Sequence, residues 1–318
     1  MEKARDRKNR IKPETIIAML LILMTLISGC GQSSLDDQIA LAAKETAAAV
    51  TEDVEAPTTA SVGGEWGLLG VISSGADMPD EYEQMYYDSI RAAVKGSKGV
   101  LSERKYTEYE RAVIGLTAIG ADPHDVEGYD LTEPIGDYDK VVYQGANAVA
   151  FALISLNMAG VHPETEQMYV SYLVDKINSD ELNKDKFAAD YIAMAVQGLS
   201  FYTYNPDVKV AISHALQEMS EMQEGDGSFG NCESTVEVII ALCQLNEDIF
   251  EATDFIKSGK TLWDGLMHFR LKDSRFCHTL ENNDPDLMST EKALLAIAAV
   301  KLQRTGEKLY QEKEDEGK

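Results

Sequence analysis

Residues 144–154 read Gln-Gly-Ala-Asn-Ala-Val-Ala-Phe-Ala-Leu-Ile, and this stretch gives the clearest indication of the fold. Small and large apolar side chains fill almost every position after the first few, so a helix formed here is apolar on all sides. Such a helix is typical of a buried inner layer. Five more segments share this composition, and most of them begin with an acidic side chain: 65–72, 108–119, 190–199, 233–242 and 290–298.

The six segments recur at a nearly regular interval. Aligned on one apolar position in each, they are separated by 45, 37, 43, 46 and 55 residues. A period of about 40–50 residues with two helices per step is typical of helical repeat proteins. The stretches between them are amphipathic and predict outer helices that cover the apolar layer: 81–95, 163–178, 208–222 and 259–269. We therefore predict an all-α domain over residues 63–306, an α6/α6 toroid in which helical hairpins close into a ring.

The first thirty residues carry the pattern of an export signal. Six Lys and Arg side chains lie within residues 3–12, and an apolar run follows from Ile16 to Ile27, interrupted by Thr25. About twelve helical residues span about 18 Å, against about 30 Å for the hydrocarbon core of a membrane. A cleaved signal peptide over residues 1–29 is therefore favoured over a transmembrane helix.

Cys30 ends the sequence Leu26-Ile-Ser-Gly-Cys30, which resembles the lipobox of bacterial lipoproteins. The resemblance implies that Cys30 is diacylated and anchors the protein at the extracytoplasmic face of the cell membrane. Residues 30–62 are rich in Ala, Ser, Thr and acidic residues and predict a flexible tether. Residues 307–318 predict a charged tail that frays.

The charge of the chain excludes one class of partner. The sequence has 29 Lys and Arg against 54 Asp and Glu, a formal charge of −25. Removal of residues 1–29 takes away six basic and three acidic side chains, which leaves 23 and 51 and a charge of −28. Such a field repels phosphate groups, so nucleic acid is excluded as a partner. Solubility at a crowded surface is the simplest role of the charge, and attraction of cationic ligands is the alternative.

Three cysteines remain beyond Cys30: Cys232, Cys243 and Cys277. The first two lie eleven residues apart in one predicted helix, about 16 Å along its axis, which is too far for a disulfide. A Cys232–Cys277 pair stays open. Because the sequence contains neither a CxxC nor an HExxH motif, it predicts no metal site, and no cofactor is evident.

Several motifs occur together along the predicted domain: 105–109, 112–120, 134–140, 143–145, 222–230, 255–262, 275–279 and 288–294. With these motifs, residues 65–304 resemble the bacterial extracellular branch of the prenyltransferase and squalene-cyclase-like α/α-toroid superfamily. That superfamily includes the cobalamin-binding toroid of transcobalamin. Gln223–Gly230 resembles the glutamine-and-glycine repeat of squalene cyclases, which implies that it caps and ties helix ends.

The catalytic motifs of the superfamily's enzymes are not recognisable here. Squalene cyclases use an Asp-x-Asp-Asp run, and the nearest stretch is Asp137-Tyr-Asp139-Lys140. Protein prenyltransferases bind zinc through Asp, Cys and His, and Ser289 stands where their histidine is expected. The resemblance therefore implies a binding protein, and we expect neither catalytic residues nor a zinc site.

A ring of six helices leaves a central funnel, and polar side chains near the starts of the inner segments are candidates for ligand contact. They are Glu108, Tyr109, Gln144, Asn147, Asp190, Glu233 and Glu291. Capping of helix N-termini is the alternative and commoner role of such side chains. Trp66 and His278 complete the set. Trp66 lines the funnel or fills the core, with the core favoured, and His278 leads into the last inner segment.

Three functions fit this sequence. The first is a lipid-anchored module that binds a small ligand, and analogy with the vitamin carriers suggests a corrinoid or a similar cofactor. Those carriers hold the corrinoid between the toroid and a β-rich domain, which a partner protein would have to supply here. The second is a scaffold that binds an envelope protein through its rim. The third is an enzyme acting on a terpenoid or glycan, for which no pair of carboxylates stands out.

Overall fold

The computed structural model describes residues 34–184 and 186–313. The chain divides into two compact units, residues 1–38 and residues 39–318. In the first unit, the side chains of Ser34 and Asp37 each accept a hydrogen bond from the other's backbone N–H at 3.1 Å, which starts a helix. The predicted signal peptide and Cys30 lie outside the described residues.

Within the described residues the chain forms twelve α-helices and no β-strand, which confirms the predicted all-α class. The helices are α1 (Leu35–Asp53), α2 (Glu65–Ser74), α3 (Tyr82–Ser97), α4 (Thr107–Ala118), α5 (Tyr138–Val142), α6 (Ala146–Ala159), α7 (Glu166–Asn178), α8 (Ala188–Leu199), α9 (Pro206–Met222), α10 (Cys232–Gln244), α11 (Leu262–His268) and α12 (Leu287–Gln303). Short 3-10 turns cover Glu133–Gly136, Leu182–Lys184, Ser200–Tyr202 and Thr253–Phe255. Among these helices, none has the length and apolar content needed to cross a membrane.

The six apolar segments form the helices α2, α4, α6, α8, α10 and α12, as predicted. Each of them packs against the next in chain order, and α12 packs against α2. Burial follows the composition, since thirteen of the fourteen residues of α6 are buried and every residue from Ser289 to Val300 of α12 is buried. Removal of this apolar surface from water is the main stabilising contribution to the domain.

Local sequence signals set where these helices begin and end. At the start of α10, the Asn231 side chain accepts a hydrogen bond from the Ser234 N–H at 2.8 Å. At the start of α12, Asp286 accepts one from the Ser289 N–H, also at 2.8 Å. Gly160 ends α6 with a φ of 69°, a left-handed conformation that glycine adopts without strain.

The outer helices form where the amphipathic pattern predicts them. The helices α3, α7, α9 and α11 overlap the four predicted outer stretches. Of these, α7 packs against α6 and α8, α9 packs against α7 and α8, and α11 packs against α10. On α3, Tyr86 and Ile90 are fully buried, so this helix also turns one face inward.

The Gln223–Gly230 stretch ties helix ends together, as its resemblance implies. The Gln223 side-chain amide donates hydrogen bonds to the carbonyl oxygens of Gly227 at 2.9 Å and Phe255 at 3.0 Å. Gly227 has a φ of 92°, and a Cβ at this position would lie 2.2 Å from the Thr261 carbonyl oxygen. Only glycine fits there, and the contact joins the end of α9 to the start of α11.

The prediction of a flexible tether is wrong for residues 35–53, which form the helix α1. Ala47 and Val50 of this helix share a hydrophobic cluster with Val71 of α2 and Leu294 of α12. The tether was expected because the segment has few large apolar residues. Alanine at helical spacing nevertheless makes a narrow apolar face that packs closely against its neighbours.

Ion pairs also hold α1 in place. Arg275 pairs with Asp53 at 2.7 Å and with Glu52 at 2.9 Å, and Arg270 pairs with Glu45 at 2.6 Å. Exposed pairs of this kind contribute about 0–1 kcal/mol each. Arg275 belongs to the loop that leads to the candidate residue His278, so α1 supports that loop.

The charged tail predicted from residue 307 begins later than expected. Leu309 and Tyr310 are buried. The side-chain amide of Gln244 donates to the Tyr310 carbonyl at 3.1 Å and accepts from the Tyr310 N–H at 3.2 Å. Leu309 and Tyr310 therefore belong to the packed domain, and residues 314–318 lie outside the described residues.

Candidate functional site

A pocket of about 500 Å³ opens where α8, α10 and α12 begin. Its polar wall is formed by Asp190, Asn231, Glu233, His278 and Asp286, and its apolar wall by Val62, Phe187, Leu287 and Met288. We call it the acidic pocket. A concave site of a few hundred Å³ with an apolar wall and a few convergent polar groups is typical of small-molecule binding.

A chain of hydrogen bonds organises the polar wall. His278 Nδ1 lies 2.6 Å from Glu233 Oε2. The Ser289 hydroxyl lies 2.5 Å from Glu233 Oε1 and 2.9 Å from Asp286 Oδ1. The imidazole is therefore held by one nitrogen and directs its other nitrogen, Nε2, away from the carboxylate. This arrangement fixes both the ring orientation and the tautomer of His278.

Backbone hydrogen bonds fix the loop that carries His278. The Cys232 N–H donates to the His278 carbonyl at 2.9 Å, which attaches the loop to α10. The Phe276 N–H donates to Thr290 Oγ1 at 3.0 Å, and the Asp286 N–H donates to the Phe276 carbonyl at 2.9 Å. A loop held by these hydrogen bonds needs little reordering when a ligand binds to its side chains.

The three cysteines of the helical domain are not paired. Cys232, Cys243 and Cys277 are buried free thiols, so the Cys232–Cys277 disulfide that the sequence left open does not form. Burial raises the pKa of the Cys232 thiol well above its usual value. A thiol that keeps its proton is a poor nucleophile, and these cysteines serve as apolar core residues.

Burial affects the ionisation of Asp190 in the acidic pocket. Among the described residues, its Oδ1 atom is buried without a hydrogen-bond partner. Burial raises the pKa of this carboxyl to about 6, against the lowering effect of a hydrogen bond from Ser234. A positively charged group placed at Asp190 would satisfy the carboxylate and stabilise its ionised form.

The apolar wall is open to solvent. Phe187 is 46% exposed and Met288 41% exposed, although both are large apolar side chains. Adjacent exposed apolar side chains beside a polar cluster are a common feature of binding sites. The pocket thus offers three carboxylates, one imidazole and an apolar surface. This set is complementary to a cationic group attached to an apolar body.

Buried side chains of the inner helices contact one another in the core. The Lys292 ammonium lies 2.9 Å from Glu237 Oε1 and 4.3 Å from the centre of the Trp66 ring. Trp66 in turn contacts Phe151, with ring centres 5.1 Å apart. The Gln197 amide donates to Glu237 Oε2 at 2.8 Å. Trp66 therefore fills the core, as favoured from the sequence.

The other sequence-predicted candidates lie elsewhere. Gln144 and Asn147 line a second, smaller pocket of about 260 Å³. Tyr109 is buried, and Glu108 is half-buried and does not line the acidic pocket. Glu291 is buried, and its carboxylate accepts a hydrogen bond from the Gly63 N–H at 3.0 Å. The structure thus brings together Asp190, Glu233 and His278 and separates the rest.

Sequence reasoning missed several residues of the acidic pocket. Asn231 and Asp286 immediately precede inner helices, and their helix-capping role is a signal that could have placed them at the same end as Glu233. Phe187 also precedes an inner helix. Val62 and Met288 have no local signal, because only the packing of the helix ends makes them neighbours.

Comparison with known proteins gives no family assignment. No protein-family model matches this chain, and no curated protein matches its sequence.

Proposed function

We propose that this protein is an exported lipoprotein whose helical domain binds a small cationic ligand at the extracytoplasmic face of the membrane. Support for export and anchoring comes from the basic, apolar and lipobox-like sequence that ends at Cys30. Incorporation of radiolabelled palmitate into the full chain, and its loss in Cys30→Ser, tests this part of the proposal.

The proposal includes closure of the six inner helices into an α6/α6 toroid. The packing of α12 against α2 supports it, because these are the first and last helices of the inner layer. The contact between Trp66 of α2 and Phe151 of α6 also supports it. These two helices are not neighbours in the chain order of the layer, so their side chains meet across its centre.

The acidic pocket is the ligand site in this proposal. The composition of the pocket walls is the main observation that supports this assignment. Asp190, Glu233 and Asp286 face a space bordered by Phe187 and Met288. Three carboxylates attract an ammonium or guanidinium group, and the apolar wall binds the hydrocarbon part of the same molecule.

The dimensions of the pocket favour a ligand smaller than a corrinoid. Its volume is about 500 Å³, and the space between the inner helices is occupied by Trp66, Phe151 and Lys292, which contact one another. A corrinoid bound by this chain would have to lie on the rim and be covered by another protein. A small organic amine needs neither arrangement.

Thermal unfolding of the full chain with three similar probes tests the ligand class. The probes are 2-phenylethylamine, which is cationic, 2-phenylethanol, which is neutral, and phenylacetate, which is anionic. We expect only the amine to raise the Tm. At about 100 times its dissociation constant it should stabilise the fold by about 2.7 kcal/mol, which corresponds to a rise of several degrees.

Charge-neutralising variants locate the site in the same assay. Asp190→Asn and Glu233→Gln should each remove most of the shift, whereas Glu108→Gln, a carboxylate outside the pocket, should keep it. Equal shifts with all three probes, or a shift retained in Asp190→Asn and Glu233→Gln, would refute the proposal.

One observation favours an enzyme as the second candidate. The Glu233–His278 hydrogen bond of 2.6 Å is the arrangement that orients an imidazole for general acid–base catalysis, with Nε2 directed to a substrate. The Ser289 hydroxyl, which lies within hydrogen-bond distance of two carboxylates and donates its single hydrogen to one of them, is fully buried, so a substrate cannot reach it as a nucleophile. Turnover of an amine-containing ester or amide that disappears in His278→Ala would favour this function.

A further inference from the structure

A cluster of metal-ligating side chains lies in the outer layer, away from the acidic pocket. It consists of Asp180, which follows α7, and of His214 and Glu218 on α9. One ligand atom from each lies within 4.8 Å of the other two. His214 Nε2 is 3.4 Å from Asp180 Oδ1 and 3.9 Å from Glu218 Oε1.

Two of these side chains lie on one face of a single helix. His214 and Glu218 are four residues apart on a helix of 17 residues, so they lie one above the other on the same face. Glu218 is only 8% exposed, and the Asn183 side-chain amide donates a hydrogen bond to its Oε1 at 2.7 Å. Asn183 thus orients a carboxylate that folding has removed from water, as residues around metal ligands commonly do.

We propose that Asp180, His214 and Glu218 bind a divalent transition-metal ion of the zinc type. Zinc forms bonds of about 2.0–2.2 Å to His nitrogen and to carboxylate oxygen, which places its ligand atoms about 3.3 Å apart in a tetrahedron. The His214–Asp180 distance of 3.4 Å is close to this value, and the His214–Glu218 distance of 3.9 Å is longer, so side-chain rotation must bring the three ligand atoms together around the ion. The ion also neutralises two carboxylates that otherwise repel each other beside a single imidazole.

The ligand types select the kind of ion. Calcium and magnesium take oxygen ligands, whereas an imidazole nitrogen favours zinc, cobalt, nickel or copper. Asp180 is exposed, so the ion enters from solvent, and water completes its coordination. Because the site lies just after the outer helix α7 and on α9, it does not depend on the ligand proposed for the acidic pocket.

A similar pair elsewhere in the chain provides a matched control. His162 and Glu166 also lie four residues apart, with Nδ1 and Oε1 at 3.0 Å. Within the described residues, no third His, Cys, Asp or Glu joins them in a group of ligand geometry. A histidine–glutamate pair without the third carboxylate should bind zinc far more weakly.

Calorimetric titration of the EDTA-treated full chain with ZnCl₂ at pH 7.5 tests the proposal. We expect one zinc ion per chain, no comparable binding of Mg²⁺ or Ca²⁺, and weaker binding at pH 5.5 because protons compete for His214. His214→Gln and Asp180→Asn should each reduce the affinity at least tenfold, whereas His162→Gln should leave it unchanged. His214 and Asp180 are at least partly exposed, so these variants should still fold, which circular dichroism verifies.

Cobalt substitution identifies the ligands directly. The Co²⁺ complex should show visible d–d bands without the near-ultraviolet charge-transfer band of a cobalt–thiolate bond, and the bands should vanish in His214→Gln. Absence of zinc binding in the folded chain would overturn the proposal. Unchanged affinity in His214→Gln, or a thiolate band that assigns the ion to cysteine, would do so as well.

Discussion

Four carboxyl groups lie in or near the helical core with pKa values raised mainly by burial. The pKa of Glu65 is raised to about 7, although Arg111 opposes the shift, and that of Glu291 is raised to about 8. Asp190 has a pKa of about 6, and the pKa of Glu110 is well above its usual range. Within the described residues neither oxygen of Glu110 has a hydrogen-bond partner. At a pH between its usual pKa and its raised pKa, each of these groups keeps a proton in the folded chain that the unfolded chain loses.

Stability should therefore fall as the pH rises from about 5 to about 8. In this window the folded state binds more protons than the unfolded state, so the free energy of unfolding decreases with pH. Each unit of pKa shift corresponds to about 1.4 kcal/mol. Urea unfolding at pH 5, 6, 7 and 8 measures the slope. Glu291→Gln, which keeps an acceptor for the Gly63 N–H, and Glu110→Gln should each flatten it, and a stability that increases with pH would contradict this assignment.

Gly67 shows how closely the residues around Glu291 are packed. A Cβ at Gly67 would lie 2.5 Å from Glu291 Oε1, whereas a Cβ at Gly96 on α3 meets nothing within 4 Å. Gly67→Ala should therefore destabilise the protein by about 1–3 kcal/mol. Gly96→Ala should stabilise it by about 0.5–1 kcal/mol, because alanine has the higher helix propensity. Chemical denaturation compares the two, and equal effects would show that Glu291 does not lie against Gly67.

At the scale of the helix, α1 shows how a segment with few large side chains joins the core. Its buried face is mostly alanine, and its acidic residues pair with Arg270 and Arg275. The ion pairs are exposed and contribute little. The apolar face must therefore supply most of the energy that holds this helix against α2 and α12.

Two substitutions on α1 test whether this segment is a packed helix or a flexible tether. Val50 is fully buried and Leu41 is 54% exposed. Val50→Ala should destabilise the domain by about 1–2 kcal/mol, because it leaves a cavity. Leu41→Ala should change the stability by less than about 0.5 kcal/mol. Denaturation curves that shift for neither variant would mean that α1 does not pack on the domain.

The inner helices could be predicted from the sequence because their composition differs from everything around them. A helix that is apolar on all sides is stable only when it is buried, and the length of the apolar run sets the length of the helix. The helix α1 could not be predicted in this way, since alanine is as compatible with a solvated segment as with a tightly packed contact. In the acidic pocket, Asp190, Glu233 and His278 were candidates, but so were Glu108 and Glu291. Nothing local distinguishes a carboxylate that faces the pocket from one that faces a neighbouring helix.

The metal-ligating cluster illustrates a second limit of sequence reasoning. His214 and Glu218 have the spacing of a pair on one helix face, a weak signal that His162 and Glu166 share. Asp180 lies 34 residues before His214, and it joins the pair only because α7 packs against α9. Tertiary packing, rather than local pattern, therefore defines the group.

At the scale of the whole helical domain, the proposed ring closure requires the contact between α2 and α12. A Cβ at Gly70 would lie 3.4 Å from the Leu294 Cβ. Disulfides need Cβ atoms about 3.5–4.5 Å apart, so these two positions suit a cross-link. The double variant Gly70→Cys, Leu294→Cys should therefore form a disulfide when an oxidant takes up two electrons and two protons, seen as a mass loss of two hydrogen atoms and a faster-migrating band. The control Gly96→Cys, Leu294→Cys should not, and equal cross-linking of both pairs would contradict ring closure.

The position of a bound amine tests the proposed ligand site most directly. A crystal structure of the protein with 4-bromophenethylamine would locate the bromine by its anomalous signal. We expect the bromophenyl ring between Phe187 and Met288, with the ammonium group within hydrogen-bond distance of the Asp190 and Glu233 carboxylates. Bromine at the Gln144–Asn147 pocket, or an acidic pocket without bromine at saturating amine, would contradict the account.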